Sequence, residues 1–335
     1  MNYQEPIETA KPYKEAYLAG LNRLIEEKQA QAADARRAYA ADIFTDPERY
    51  RNDLRQMLGW PLTQPRPAEL PPVTAEKLSE EDGYTVYRLQ IEVLPGVTLA
   101  GLFFRMDGDE PKPLVLVQHG KLGTPERVSG VYGSTSNYNN MLARIIAHNV
   151  HAFAPQLCLW ADSYEVPYDR AEMDTRLKRV GSSIAAVEIY GLTRILDYFE
   201  AQSYVSCLGM AGMSYGGFYT LMTTALDTRL RSAICCSYFN KRDAVPWSDW
   251  VWFDSARKFD DAQLACLVYP RKLYILMGSR DELFDYRNTV ASYEEATALC
   301  KDQWLQLHIY DGNHEFCKDA EPIQALIRDL KEVGK

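Results

Sequence analysis

The sequence predicts a doubly wound α/β domain, in which helices cover both faces of a mostly parallel sheet. Three observations predict this fold class. Short apolar runs recur along the second part of the chain, which is typical of strands buried on both faces of a parallel sheet. Helical patterns lie between these runs, and a pair of strands joined by a turn precedes them. Strands that alternate with helices favour a parallel sheet, here with an antiparallel edge.

Length and composition limit the classes of protein to be considered. The chain has 335 residues, of which 47% are hydrophobic and 25% charged. These proportions are typical of a globular protein with one large domain and an appendage, or with two ordinary domains. The net charge of −9 argues against non-specific binding of nucleic acid. No apolar run approaches the roughly 18–20 residues of a membrane helix, and the first residues lack the features of a secretion signal. We therefore expect a cytoplasmic protein that binds neither nucleic acid nor membranes.

Cysteine and histidine usage gives no sign of a metal site. The seven cysteines contain no C-x-x-C pair, which favours free thiols in a reducing compartment. Among the five histidines, His148 and His151 are three residues apart but enter a predicted strand. We predict neither a metal ion nor another cofactor, because Rossmann and P-loop patterns are also missing from the sequence.

Residues 1–75 are predicted to form a helical extension followed by a connector. Residues 12–58 show helical spacing, with a second helix beginning at Asp46-Pro47-Glu48 and ending at Gly59. Five prolines between 61 and 72 predict an extended connector. The helical part could pack on a second subunit or fold over a pocket mouth, which leaves a homo-oligomer open.

Residues 76–335 are predicted to form the α/β domain itself. Alternation over 85–93 predicts a half-buried strand, and 97–104 pairs back on it after the Pro95-Gly96 turn. Buried strands are predicted at 114–117, 150–154, 205–210, 233–236, 273–277 and 305–310. Helices are predicted at 141–148, 184–199, 219–226, 290–299 and 323–330.

Gly212-Met213-Ser214-Tyr215-Gly216 directly follows one predicted strand and opens a helix. This is G-x-S-x-G in the strand–turn–helix context of a nucleophile elbow. The turn has to be tight enough to project the serine hydroxyl above the sheet edge, and side chains two residues away on either side would collide. Ser214 is therefore the predicted nucleophile.

A nucleophilic serine needs a base and an acid that orients the base. In this strand–turn–helix architecture the chain order is serine, acid, histidine. His314 lies in a polar loop after the last predicted strand, whereas His308 lies inside that strand, so we predict His314 as the base. Asp281 follows the preceding strand and is the predicted acid, with Glu282 and Asp285 as alternatives.

The oxyanion of an acyl-transfer intermediate needs backbone N–H donors. The residue after the nucleophile, Tyr215, supplies one. By position, Lys121 supplies the second, because its loop follows the strand at 114–117 and Gly120 lets the chain turn sharply. We interpret His119 as a residue that braces this loop.

The motifs His119-Gly120, Gly212 to Gly217, Gly278 to Asp281 and Gly312-Asn313-His314 resemble the α/β-hydrolase superfamily. Residues 182–217, with Asp249-Trp250 and Asp281, are similar to acetyl xylan esterases and dienelactone-hydrolase-like bacterial proteins. The resemblance covers about residues 80–335 and implies the α/β-hydrolase fold and esterase activity. Dienelactone hydrolases proper use a cysteine where this chain has Ser214.

An aromatic segment at about 238–262 is predicted to form a cap over the sheet. Rings in this segment could line a substrate pocket or form the packing face of the cap, and we select Trp247 and Trp250 as candidates for substrate binding. Trp160 and Tyr164, after the strand at 150–154, are candidates for another wall.

These residues together predict a serine esterase. Ser214 would attack the ester carbonyl, His314 would transfer the proton, and water would release the acyl group. The expected substrate is a small-molecule ester with a short acyl group, such as an acetyl ester of a sugar. The alternatives are an oligopeptidase-type peptidase, for which the chain has no room for an N-terminal β-propeller, and a non-catalytic binding protein on the same scaffold.

Overall fold

The structure, a computed structural model, describes residues 2–161, 166–245, 247–300 and 302–332. The strands are β1 (Val73–Glu81), β2 (Tyr84–Leu94), β3 (Val97–Met106), β4 (Lys112–Gln118), β5 (His151–Pro155), β6 (Val205–Met213), β7 (Leu230–Cys236), β8 (Lys272–Gly278) and β9 (Leu305–Tyr310). The helices are α1 (Lys11–Tyr39), α2 (Pro47–Leu58), α3 (Pro125–Ser129), α4 (Met141–Ile146), α5 (Arg170–Lys178), α6 (Ile184–Glu200), α7 (Tyr215–Leu226), α8 (Asp261–Cys266), α9 (Tyr286–Leu299) and α10 (Glu321–Glu332).

The strands form one nine-stranded sheet in the order β1-β2-β3-β5-β4-β6-β7-β8-β9. The pairs β1–β2, β2–β3 and β3–β5 are antiparallel, and every pair from β5–β4 to β8–β9 is parallel. The predicted fold class, a mostly parallel sheet with an antiparallel edge, is confirmed. Strand β1 was not predicted, and the boundary expected between residues 75 and 76 falls inside it.

Both faces of the sheet are buried, as the continuous apolar runs predict. Along β4, Leu114 and Leu116 face the core under α2, α6, α7 and α8, whereas Val115 and Val117 face the core under α4 and α10. Because helices cover both sides, polar groups that could carry chemistry are directed to the ends of the strands.

The second helix of the extension belongs to the core, whereas most of the first does not. Helix α2 begins where the Asp46 carboxylate accepts a hydrogen bond from the Arg49 N–H, and it ends at Gly59, whose φ is +96°. Its Arg51 guanidinium donates to the carbonyls of Ala225 and Leu267 at 2.9 Å each.

No helix among the described residues is both long enough and apolar enough to cross a membrane.

His151, one of the closely spaced histidines, is buried in the sheet as a neutral ring. The Met106 N–H donates to its Nδ1 at 3.0 Å, and its Nε2–H donates to the Tyr204 carbonyl at 3.1 Å. These two hydrogen bonds require the neutral ring with its proton on Nε2. Burial lowers the pKa of His151 from 6.5 to about 4.

We expect this histidine to make folding sensitive to mild acid. In the unfolded chain His151 takes up a proton near pH 6.5, and in the folded chain it does so only near pH 4. The free energy of unfolding therefore has its full value above about pH 6.5 and falls as the pH drops toward 4. Between pH 7 and 5 the loss due to His151 should be about 1–2 kcal/mol. Urea unfolding at both pH values measures it, and His151→Gln should show a smaller decline. An equal decline in both proteins would contradict the assignment.

Candidate active site

Ser214 occupies a strained turn between β6 and α7. Its φ and ψ are 58° and −123°, and its N–H donates to the Cys236 carbonyl at 2.9 Å. A Cβ on Gly212 would lie 2.2 Å from the Gly216 oxygen, and a Cβ on Gly216 would lie 2.1 Å from the Gln118 oxygen. Both positions therefore require glycine, and the half-buried serine lies at the carboxyl end of the parallel strands.

Asp281 and His314 lie in the loops after β8 and β9, at the same edge of the sheet. The two loops touch, because a Cβ on Gly278 would lie 2.5 Å from the Gly312 oxygen. The Asp281 Oδ2 lies 2.8 Å from the His314 Nδ1, and the Asp281 side chain is fully buried. This pairing places the Nδ1 proton on the carboxylate side and leaves Nε2 with its lone pair.

The alternative acids and base have other partners. The Glu282 carboxylate accepts the backbone N–H of His314 at 3.3 Å, and Asp285 caps α9 and pairs with Arg287. On β9, the His308 Nε2 lies 2.6 Å from the Asp319 carboxylate. The Cys317 thiol lies beside that pair, with the three potential metal ligands within 4.8 Å of one another, and the hydrogen bond between His308 and Asp319 accounts for the contact.

The two predicted oxyanion donors flank Ser214. The Tyr215 N–H is the first of α7, and the Lys121 N–H lies in the loop after β4. Within the described ranges, neither N–H donates to another protein group. A Cβ on Gly120 would lie 2.9 Å from the Met213 oxygen and 3.1 Å from the Ser214 Cβ, so the β4 loop rests directly on the serine turn.

The buried side chain of His119 sets the orientation of the Lys121 amide. Its Nδ1–H donates to the Gly120 carbonyl at 2.9 Å, while its Nε2 accepts from the Leu157 N–H at 3.3 Å. The Gly120 carbonyl and the Lys121 N–H belong to one planar peptide and point in opposite directions, so holding the carbonyl aims the amide. Burial lowers the pKa of His119 to about 4, which keeps the ring neutral.

Sequence reasoning missed two residues that join the loops of the site. The Gly120 N–H donates to the Tyr138 hydroxyl at 2.9 Å, and burial raises the pKa of Tyr138 to about 12. The Asn137 side-chain amide donates to the His314 carbonyl at 3.3 Å, and the backbone carbonyl of Asn137 accepts the Phe316 N–H at 2.8 Å. Residues 130–140 show no periodic pattern that would have predicted these contacts.

Two adjoining cavities open at the site. A cavity of about 250 Å³ is lined by Ser214, His314 and the loop residues Lys121 and Leu122. A cavity of about 640 Å³ shares Lys121 and Leu122 and extends to further aromatic and polar residues, among them Trp160, Tyr168, Arg170, Tyr215, Trp247 and Asp249.

Of the three candidate tryptophans, two line the larger cavity and one packs in the core. Trp160 and Trp247 line the larger cavity. Trp250 is only 3% exposed and stacks on Phe218 with 5.0 Å between ring centroids, so it packs in the core and does not line the cavity. Tyr164 lies outside the described residues.

A buried ionic cluster forms part of the wall of the larger cavity, and sequence reasoning missed it as well. The Arg170 guanidinium donates to Glu188 at 2.9 Å and to Asp249 at 2.8 Å. The Tyr215 hydroxyl donates to Asp249 at 3.2 Å, and the Tyr219 hydroxyl donates to Glu188. Burial opposes the charge, but the carboxylates hold the pKa of Arg170 well above its usual value. Through Asp249, the cluster ties the aromatic segment at about 238–262 to the helix that begins at Tyr215.

Neither a family model nor a curated protein matches the sequence. Solved structures do match. A Bacteroides fragilis protein assigned as an acetyl xylan esterase is 15% identical, with 82% of this chain and 78% of that chain covered and a TM-score of 0.63. A glucuronoyl esterase from Solibacter usitatus is 14% identical, with 85% and 91% covered and a TM-score of 0.63. An acetyl xylan esterase from Paenibacillus sp. R4 is 17% identical, with 90% and 98% covered and a TM-score of 0.56. At these identities the likeness concerns the fold, and the chain has the α/β-hydrolase fold that these esterases share.

Proposed function

We propose that the protein is a serine hydrolase that cleaves carboxylic esters through a Ser214–His314–Asp281 acyl-enzyme mechanism. The observation that carries the proposal is that Ser214 and His314 line one cavity while Asp281 holds the His314 Nδ1 at 2.8 Å. Three residues far apart in the sequence thus lie together at one edge of the sheet, which supports the roles that the proposal gives them in nucleophilic catalysis.

The proposed reaction follows from the contact between the His314 Nδ1 and the Asp281 carboxylate, which leaves the His314 Nε2 free to accept a proton. The Ser214 oxygen attacks the ester carbonyl as His314 Nε2 takes its proton, and the imidazolium is stabilised by the buried Asp281 carboxylate. The N–H groups of Tyr215 and Lys121 would then hold the oxyanion. His314 returns the proton to the leaving alcohol, and a water activated by the same ring releases the acyl group and restores Ser214.

We propose a short acyl group and a polyhydroxylated leaving group as the substrate class. The cavity at Ser214 measures about 250 Å³, which suits a small acyl group. The larger cavity offers the rings of Trp160 and Trp247 next to polar groups, a combination that can stack on a sugar and hydrogen-bond to it. The matching structures include proteins named acetyl xylan esterase and glucuronoyl esterase.

We also propose a cytoplasmic setting for the reaction. All seven cysteines are free, and four of them are buried. Burial raises the pKa of Cys236 to about 11, so its thiol is protonated and unreactive at neutral pH. Thiols of this kind need no oxidising compartment.

A fluorophosphonate probe tests the function directly. Peptide mapping after labelling should place the phosphonyl group on Ser214, and hydrolysis should be faster for p-nitrophenyl acetate than for the butyrate or octanoate ester. Folded protein that takes up no label and hydrolyses none of the esters would favour a binding protein. Label on Ser214 with cleavage of peptide p-nitroanilides alone would favour a peptidase.

The role of His119 gives a second expected result. His119→Ala removes the donor that holds the Gly120 carbonyl, and we expect kcat for p-nitrophenyl acetate to fall about 10- to 100-fold because the Lys121 amide loses its orientation. His119→Asn can keep a donor near the Nδ1 position and should lose less. Equal losses in the two variants, or a change confined to thermal stability, would contradict this role.

A further inference from the structure

The first two thirds of α1 carry an apolar stripe that the described part of the chain leaves uncovered. Every residue from Lys11 to Gln31 except Gly20 is exposed. The large apolar side chains in this stretch are between 37% and 77% exposed. We call them the α1 stripe: Tyr13, Tyr17, Leu18, Leu21, Leu24 and Ile25.

The stripe lies on the side of α1 that packs on the domain further along the helix. Tyr13, Tyr17 and Leu21 follow one another at intervals of four, and Ala32 lies three turns beyond Leu21 on the same face. Ala32 is buried, and Tyr39, two turns further, packs its ring 5.7 Å from that of Phe259. The packing face of α1 therefore continues for roughly 30 Å past the edge of the domain.

The size of this face suits a protein partner. Covering its two tyrosines and four aliphatic side chains, together with the exposed Ile7 and Tyr3, would remove roughly 700–900 Å² from water on each partner. A standard protein interface buries about 800 Å² per partner. A straight helix with one apolar face is also complementary to itself when two copies run antiparallel about a two-fold axis.

The charges on α1 favour such a partner over a lipid surface. A helix that lies on an anionic membrane carries lysines and arginines across its polar side. Here the exposed stretch mixes both signs, and the whole chain carries a net charge of −9, which anionic lipids would repel. The charged residues between 11 and 31 are Lys11, Lys14, Glu15, Arg23, Glu26, Glu27 and Lys28.

We propose that two copies of this chain associate through the α1 stripe, with the two helices antiparallel across a two-fold axis. The fold of each copy is complete without its partner, so this interface is independent of the proposed esterase function. It would place the two catalytic domains at opposite ends of a helical bridge.

Sedimentation velocity of the full chain at tens of micromolar tests this interface. The wild type should sediment at twice the 38.2 kDa chain mass. The double variant Leu21→Glu/Leu24→Glu should sediment at the single chain mass, since a buried unpaired charge opposes association. The matched control is Ala19→Glu/Ala30→Glu, which adds the same two charges at positions on the side of the helix opposite Leu21, and it should remain dimeric.

Both substitutions of the double variant replace exposed side chains, so circular dichroism should show an unchanged fold. A monomeric wild type over the whole concentration range would overturn the proposal, and so would a dimer that survives Leu21→Glu/Leu24→Glu. A monomer that co-sediments with phosphatidylglycerol vesicles, and loses that binding in the double variant, would overturn it in favour of a membrane surface.

Discussion

We expect Ser214→Ala to lower kcat for p-nitrophenyl acetate by about 10⁴- to 10⁶-fold. The alanine removes the oxygen that forms the acyl bond in the proposed mechanism, while the backbone turn and its N–H groups stay in place. The substitution removes only one oxygen atom from a half-buried side chain, so the urea midpoint of unfolding should change little. Initial rates on purified protein, with circular dichroism and a urea titration as controls, measure both effects.

The proposed chemistry also predicts how Ser214→Ala combines with His314→Ala. If the two side chains act in one proton transfer, each single variant loses almost all of its kcat, and the double variant is hardly slower than either. Losses that multiply in the double variant would instead mean that the two residues act in separate steps. Near-normal turnover in either single variant would contradict the assignment of the nucleophile and the base.

Strands buried on both faces were predictable from sequence because burial itself leaves an apolar run. Strand β1 was not, because it lies at the sheet edge with almost every side chain exposed and so shows no alternation. Helix α2 has local signals at both ends, Asp46 and Gly59, and its bounds follow them. Helix α5 was missed because Asp174 is its only buried residue, which leaves no apolar periodicity to detect.

Residues at the ends of parallel strands could be placed together because the carboxyl ends of such strands meet at one edge. That rule brings Ser214, Asp281 and His314 to one place without any knowledge of side-chain geometry. Contacts between distant loops follow no such rule. Arg170 and Asp249 are 79 positions apart in loop and helix-end segments, and no local pattern links them. For the same reason, the sequence could not tell whether an aromatic ring of the segment at about 238–262 faces the cavity or the core.

The second large expected effect concerns the group that orients His314. Asp281→Asn places an amide N–H₂ near the His314 Nδ1, which favours the tautomer with its proton on Nε2. That ring cannot accept the Ser214 proton, so we expect kcat to fall about 10³- to 10⁴-fold with little change in KM. The fall should be smaller than that of Ser214→Ala, because the nucleophile and its oxyanion donors remain.

Glu282 supplies a matched control for this experiment. It is the neighbouring carboxylate, and its contact with His314 is to the backbone N–H at 3.3 Å rather than to the ring. Glu282→Gln changes the charge in the same way but leaves the tautomer alone, so its kcat should stay within about threefold of the wild type. If Glu282→Gln lost activity while Asp281→Asn kept it, the orienting role would belong to Glu282. The difference between the two variants therefore separates orientation of the ring from the general effect of a negative charge near it.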